Sequence, residues 1–315
     1  MARIVIATEM FPEVVARLRG AGHEVEVHDG PPPPELLAPA EALICPLSLP
    51  VRAELLSQAP RLRVVANLGV GVDNIDLEAA AARGIVVTNT PDVLTEATAD
   101  LGWALLLAVA RRIVEADRDL RAHGFPGWTF LPPHLGVDVY GRTLGVVGFG
   151  RIGQAVARRG RGFGMELLYF SRSRKPGAEA ELGAKFVSLD ELLSRSDFVV
   201  LCVPLTAATR RLIGAQELAL MKPDAILVNI ARGPVVDEGA LVEALRRGRI
   251  RGAGLDVFEE EPKVHPGLLS LQNVVLTPHI GSATACTRRR MADLAADAVL
   301  DVLAGRTPPN VVPRG

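Results

Sequence analysis

Three side chains of different chemistry stand at intervals late in this sequence: Arg232, Glu261 and His279. A guanidinium offers a carboxylate two forked hydrogen bonds. An imidazole titrates near neutrality and can give or take a proton. A carboxylate beside it favours the protonated ring. Taken singly, each has a plainer role: a surface ion pair, a turn residue before Pro262, a loop histidine. Their surroundings argue for more. Arg232 follows Val228-Asn229-Ile230-Ala231, Glu261 closes Gly254-Leu255-Asp256-Val257-Phe258-Glu259-Glu260-Glu261, and His279 follows Leu276-Thr277-Pro278. Each segment reads as a strand end, the edge at which open α/β sheets bind ligands. Three such residues at successive strand ends are hard to assign to coincidence.

The glycines add a second kind of chemistry. Gly148-Phe149-Gly150-Arg151-Ile152-Gly153 follows an apolar run that begins at Thr143 and opens a helical segment, Gln154 to Arg161. Gly148 allows a tight turn, Gly150 lets the backbone approach a pyrophosphate, and Gly153 lets helix pack on strand. The helix N-terminus adds free N–H groups and partial positive charge. About twenty residues on, an acidic side chain is expected to hold the ribose of NAD. Here stand Ser171, Arg172, Ser173, Arg174 and Lys175. A charge run of this kind is ordinarily a solvated loop. At this position, though, nothing repels a 2'-phosphate, and two arginines can grip one. NADP(H) is therefore the preferred cofactor, with NAD(H) as the second choice. A further pair, Gly69 and Gly71, follows the run Val64–Ala66, with Asn74 at the third position. It is either a glycine turn or a nest of N–H groups at Val70 and Gly71 that grips a small anion.

These residues need a frame that alternates strand and helix. Short β-branched runs near Ile4–Ala7, Val25–Val27, Ala42–Ile44, Val64–Ala66 and Val86–Thr88 alternate with helical stretches or loops. A second series begins at Thr143 and continues through Leu167–Phe170, Phe198–Cys202, Ile226–Asn229, Gly252–Leu255 and Val274–Leu276. The pattern predicts α/β architecture with parallel sheets covered on both faces. Pro31 to Pro34 predict a stiff surface loop. One long helix is expected over residues 96–121, capped by Thr95 and apolar enough to be buried between domains or subunits. A last helix, about Ala283 to Ala304, is expected to cross back onto the first domain, giving two crossings and an interdomain cleft.

Composition narrows the function classes. The 315 residues carry a formal net charge of -1, and aromatics make up 4%. Neither a basic footprint nor stacking platforms for nucleic acid are present. The apolar run Leu101–Ala110 is too short to span a membrane. Cys45, Cys202 and Cys286 are far apart and suggest neither a metal set nor a disulfide framework, so a reducing cytoplasm is expected.

The segments Asn229-Ile230-Ala231-Arg232-Gly233, Leu255-Asp256-Val257-Phe258 with Glu261-Pro262, and Pro278-His279-Ile280-Gly281 together resemble the D-isomer-specific 2-hydroxyacid dehydrogenases. The likeness extends over nearly the whole chain. Within that family, Tyr169-Phe170-Ser171-Arg172-Ser173-Arg174-Lys175 together with His279-Ile280-Gly281-Ser282-Ala283-Thr284 resembles the glyoxylate/hydroxypyruvate reductases. The resemblance implies two Rossmann-like, doubly wound parallel-sheet domains: a flavodoxin-like substrate domain over residues 1–98 and 286–315, and a dinucleotide-binding domain over 99–285. It implies hydride transfer between a nicotinamide and a small 2-oxo acid, with glyoxylate and hydroxypyruvate reduced to glycolate and D-glycerate. His279 then corresponds to the general acid, Glu261 to its partner and Arg232 to the group that orients the substrate. The Val70–Gly71 backbone corresponds to a carboxylate cradle, and Asp256 lies near the nicotinamide. Thr98, Gly148, Gly150, Arg151, Ile152, Gly153, Ser171 to Arg174, Pro204, Ile230, Ala231 and Gly281 correspond to cofactor contacts. A homodimer is implied, with residues 96–121 in the contact. The alternatives are a related dehydrogenase, such as one acting on 3-phosphohydroxypyruvate, or a nucleotide-sensing corepressor. The first would need cations near the cleft mouth, for which the 123–134 loop offers only His123 and His134. The second would need a long polar tail, which the sequence lacks.

Overall fold

Central strands of this chain, such as Ala42–Cys45 and Phe198–Leu201, are apolar along their whole length, because both faces of each sheet are covered. The computed structural model describes residues 1–313. The chain forms two compact units, Met1–Leu94 with the segment beginning at Ser282, and Thr95–Gly281. Residues 314 and 315, within the expected first domain, lie outside the described residues.

The first unit holds β1 (Arg3–Ile6), β2 (Glu24–Val27), β3 (Ala42–Cys45), β4 (Val64–Asn67) and β5 (Val86–Thr88) in the order β2-β1-β3-β4-β5. All pairings are parallel. Every residue of β3 and β4 is buried, whereas the edge strand β2 exposes Glu24 and Glu26. Charge on an edge discourages pairing with another chain. The helix Ala285–Leu303 packs on β3 and β4 through Ala292, Ala295, Ala296 and Val299. Thr284 caps it, its hydroxyl accepting from the Thr287 N–H. Pro34, expected in a loop, opens a helical turn over Pro34–Leu37, since proline suits a first helical position.

The second unit holds β6 (Thr143–Val147), β7 (Glu166–Phe170), β8 (Lys185–Phe186), β9 (Phe198–Leu201), β10 (Ile226–Asn229), β11 (Gly252–Leu255) and β12 (Val274–Leu276). Their order is β12-β11-β10-β9-β6-β7-β8, again parallel throughout. Both sheets are the doubly wound α/β type expected from the alternating pattern. The two-residue β8 was too short to leave a sequence signal.

The expected helix over residues 96–121 is two helices, Thr95–Ala110 and Ile113–His123. Arg112 breaks it with a left-handed backbone, φ 53°. Its guanidinium donates to the Pro133 carbonyl at 2.7 Å and pairs with the buried Glu115 at 3.1 Å, which holds the turn. The first of the two is a core helix of the second unit, lying on β10 and β11. Side chains at Gly252 and Gly254 would collide with Val109 and Leu105, so glycine in β11 is what lets this helix come close.

Candidate active site

The site residues of the second unit sit just past β6, β7, β9, β10, β11 and β12, with Thr98 on the helix Thr95–Ala110. β11 and β12 pair side by side and end at Leu255 and Leu276. The next residue after β11, Asp256, is buried. Its Oδ1 accepts from the Thr277 hydroxyl at 2.7 Å and the Ile280 N–H at 2.8 Å, and its Oδ2 from the Gly281 N–H at 2.8 Å. Its carbonyl accepts from the His279 N–H at 2.9 Å. Burial pushes the Asp256 carboxyl above its ordinary range, and these hydrogen bonds oppose the shift. Asp256 is thus engaged in shaping the loop that carries His279.

That loop bends sharply. His279 adopts a left-handed backbone with φ 53°, a conformation that costs a non-glycine residue roughly 1–2 kcal/mol. The Asp256 bonds hold it there. The His279 Nδ1 lies 2.9 Å from Glu261 Oε2, while Glu261 Oε1 accepts from the Phe258 N–H at 3.0 Å. An ionised carboxylate only accepts, so Nδ1 carries the hydrogen and Nε2 remains to exchange a proton. Burial pushes the Glu261 carboxyl up, but the His279 hydrogen bond and charge outweigh it, with help from the Phe258 N–H and the charge of Arg232. The net result holds Glu261 below its ordinary range, and therefore ionised.

Arg232 follows β10. The Asn229 side chain folds over the turn, accepting from the Ala231 N–H and donating to the Arg232 carbonyl, both at 3.0 Å. The Arg232 guanidinium is half-buried and donates to the Ala231 carbonyl at 2.8 Å. Gly233 explains why arginine is followed by glycine: a Cβ there would lie 1.8 Å from the Phe258 carbonyl group. The loops bearing Arg232 and Glu261 therefore interlock backbone to backbone. A further brace escaped the sequence reading. Buried Glu238 accepts from the Glu259 N–H at 2.7 Å, and Glu259 pairs with Arg211 at 3.0 Å. Nothing in the spacing of residues 211, 238 and 259 announces that contact.

The glycine fingerprint lies where the strand order reverses, between β6 and β9. Gly148 has φ 97°, and a Cβ there would lie 2.7 Å from the Cys202–Val203 peptide. At Gly153 a Cβ would lie 2.0 Å from the Gly148 carbonyl oxygen. Open space surrounds Gly150, which caps the helix Arg151–Gly162. The backbone here can come up to a pyrophosphate, and the first-turn N–H groups of Arg151, Ile152 and Gly153 supply donors. The residues present fit a dinucleotide. Thr98 is buried beside Gly281, and Ile230 and Ala231 are buried just past β10. Pro204 lies past β9, its carbonyl accepting from the Thr209 hydroxyl at 2.6 Å.

At the end of β7 the two arginines differ. Arg174 grips Glu179 at 2.6 Å and lies over the Phe186 ring, 6.0 Å from its centroid. The Tyr169 hydroxyl donates to the same carboxylate and accepts from the Lys175 N–H at 2.8 Å. Hydrogen bonds from Arg174, then from Tyr169, hold the Glu179 carboxyl down at about 2. Ser171 donates to the Ser173 carbonyl at 2.6 Å, and Arg172 is exposed. In the first unit, Val70 and Gly71 follow β4; Gly69 before them packs against Leu47 so closely that a Cβ would lie 2.5 Å from its side chain.

Comparison with known proteins places the fold and these segments together. The family profile for the D-isomer specific 2-hydroxyacid dehydrogenase NAD binding domain matches residues 103–281. A glyoxylate reductase of Thermococcus onnurineus is 58% identical over 283 residues, 89% of this chain and 85% of that protein. The chain belongs to the D-isomer-specific 2-hydroxyacid dehydrogenases. Proteins of solved structure share its architecture. A protein from Thermus thermophilus superposes with TM-score 0.92 at 48% identity, over 99% of this chain and all of the other. An NADPH-dependent glyoxylate/hydroxypyruvate reductase from Sinorhizobium meliloti, in complex with NADP and malonate, gives 0.89 at 37% identity, over 99% and 97%. No helix among the described residues is long and apolar enough to cross a membrane.

Proposed function

We propose that this dehydrogenase reduces glyoxylate and hydroxypyruvate to the corresponding 2-hydroxy acids, with NADPH preferred over NADH. The observation that carries the reading is the His279–Glu261 pair at 2.9 Å, in a chain 58% identical to a glyoxylate reductase. A bound dihydronicotinamide supplies the hydride. His279 gives the proton from Nε2 to the carbonyl oxygen of the 2-oxo acid, and Glu261 stabilises the imidazolium beforehand. Arg232 orients the substrate, and the Val70–Gly71 N–H groups take its carboxylate. Gly148, Gly150, Arg151, Ile152 and Gly153 hold the pyrophosphate, with Thr98, Pro204, Ile230, Ala231 and Gly281 around the cofactor and Asp256 behind them. Ser171, Ser173 and Arg172 form the receptor for the 2'-phosphate, since Arg174 is occupied by Glu179.

A homodimer in the cytoplasm completes the proposal. Phe125, Trp128, Phe130 and Leu131 form an exposed apolar segment, with Trp128 and Phe130 each 81% exposed. A patch of this kind marks an association surface. Steady-state oxidation of NADPH and NADH with glyoxylate and with hydroxypyruvate, compared as kcat/KM, tests the assignment. Turnover of neither acid would overturn it.

A further inference from the structure

The strand β4 ends in a loop whose carbonyl groups at residues 69, 70 and 71 are all spoken for. The Gly69 carbonyl accepts from the Thr90 N–H at 3.0 Å, the Val70 carbonyl from Asn89 Nδ2 at 2.8 Å, and the Gly71 carbonyl from Asn67 Nδ2 at 2.7 Å. Among the described residues, the N–H groups of Val70 and Gly71 find no protein acceptor. A peptide's oxygen shares its plane with the N–H of the following residue, so the Gly69 carbonyl sets the direction of the Val70 N–H, the Val70 carbonyl that of Gly71, and the Gly71 carbonyl that of Val72.

The two asparagines are themselves held. Asn67 is fully buried, and its Oδ1 accepts from Asn74 Nδ2 at 3.2 Å and from the Cys45 thiol at 3.5 Å. Burial pushes that thiol up to about 12, so it keeps its proton and remains a donor. With two donors on Oδ1, the amide of Asn67 has one orientation, Nδ2 toward Gly71. Asn89 is clasped through its backbone: its N–H donates to the Asn310 carbonyl at 3.3 Å, and its carbonyl accepts from Asn310 Nδ2 at 2.6 Å.

We infer that Asn89 is a positioning residue that aims the Gly71 N–H at the substrate carboxylate, that Asn67 anchors the next peptide and with it the end of the same loop, and that Asn310 steadies Asn89 from the C-terminal segment. This rests on the carboxylate-cradle reading proposed above. The amides touch no substrate; they act through the peptides they hold.

Asn89→Leu, Asn310→Ala and Asn67→Ser test it, read by KM and kcat for glyoxylate, by NADPH affinity, and by calorimetric binding of the unreactive carboxylate oxamate to NADPH-loaded enzyme. For Asn89→Leu, loss of one fixing hydrogen bond is expected to raise KM and weaken oxamate by about tenfold, with NADPH affinity unchanged. Asn310→Ala shifts both the same way by less. Asn89 is only half-buried, so its variant remains informative if Asn67→Ser fails to fold. Unchanged KM and unchanged oxamate affinity in Asn89→Leu would overturn the inference. Wild-type enzyme that binds oxamate but leaves glyoxylate untouched sinks the substrate assignment alone; weaker oxamate binding in the variants then still supports the clamp.

Discussion

His279 reaches its place by a backbone most residues avoid, and Asp256 and Glu261 keep it there. Replacing it with alanine is expected to lower kcat by about 10²–10⁴-fold while NADPH affinity, measured by fluorescence titration, stays near that of the wild type. Unchanged turnover would remove it from the mechanism. The unequal arginines after β7 lead to a second expectation. Arg172→Ala should weaken NADPH by about tenfold or more and NADH hardly at all, since charged hydrogen bonds contribute about 1.5–3 kcal/mol. Arg174→Ala should discriminate less between the two, because its guanidinium is committed to Glu179 at 2.6 Å. The Glu179 carboxyl, held at about 2 against an ordinary 4.5, contributes stability that is present above 4.5 and lost as pH falls toward 2. The melting-temperature gap between wild type and Glu179→Gln should therefore be widest near neutrality and close across that window. A gap that grows in acid would contradict the pairing.

At the scale of elements, glycine sets how near two loops can lie. Gly233→Ala would drive a methyl into the Phe258 carbonyl, and the overpacking should cost about 1–3 kcal/mol. The expected result is a lower melting temperature together with reduced kcat, since the loops bearing Arg232 and Glu261 must part. Loss of stability with kcat intact would show that the interlock serves folding alone. Much of this scale was legible from sequence. Runs such as Phe198–Leu201 and Ile226–Val228 are uniformly apolar because both faces are buried, so type and position could be read together. The fingerprint glycines were legible for the same reason: each answers a steric demand. What could not be read was commitment. Arg174 and Glu179 lie five residues apart across a loop and a helix start, a spacing with no preferred geometry. The break at Arg112 rests on a left-handed arginine, which has no sequence signature. Asp256 was expected near the nicotinamide from the family resemblance; its three donors add the loop that it shapes.

At the scale of the whole molecule, the apolar segment around Trp128 should govern association. Trp128→Glu with Phe130→Glu is expected to give monomers by analytical ultracentrifugation where the wild type sediments as a dimer. A monomeric wild type would refute the proposed assembly. The path of the chain carries a further consequence. The helix Ala285–Leu303 covers β3 and β4, yet it is made some two hundred residues after them. Domains ordinarily fold from the N-terminus as they leave the ribosome. Here the order is inverted: the unit synthesised first must wait with one sheet face only partly covered, by the helix Pro12–Gly20, while Thr95–Gly281 emerges as a continuous stretch and can fold before it. The nascent chain therefore carries an uncovered apolar surface through most of its synthesis, a natural client for a holding chaperone until its last helix arrives.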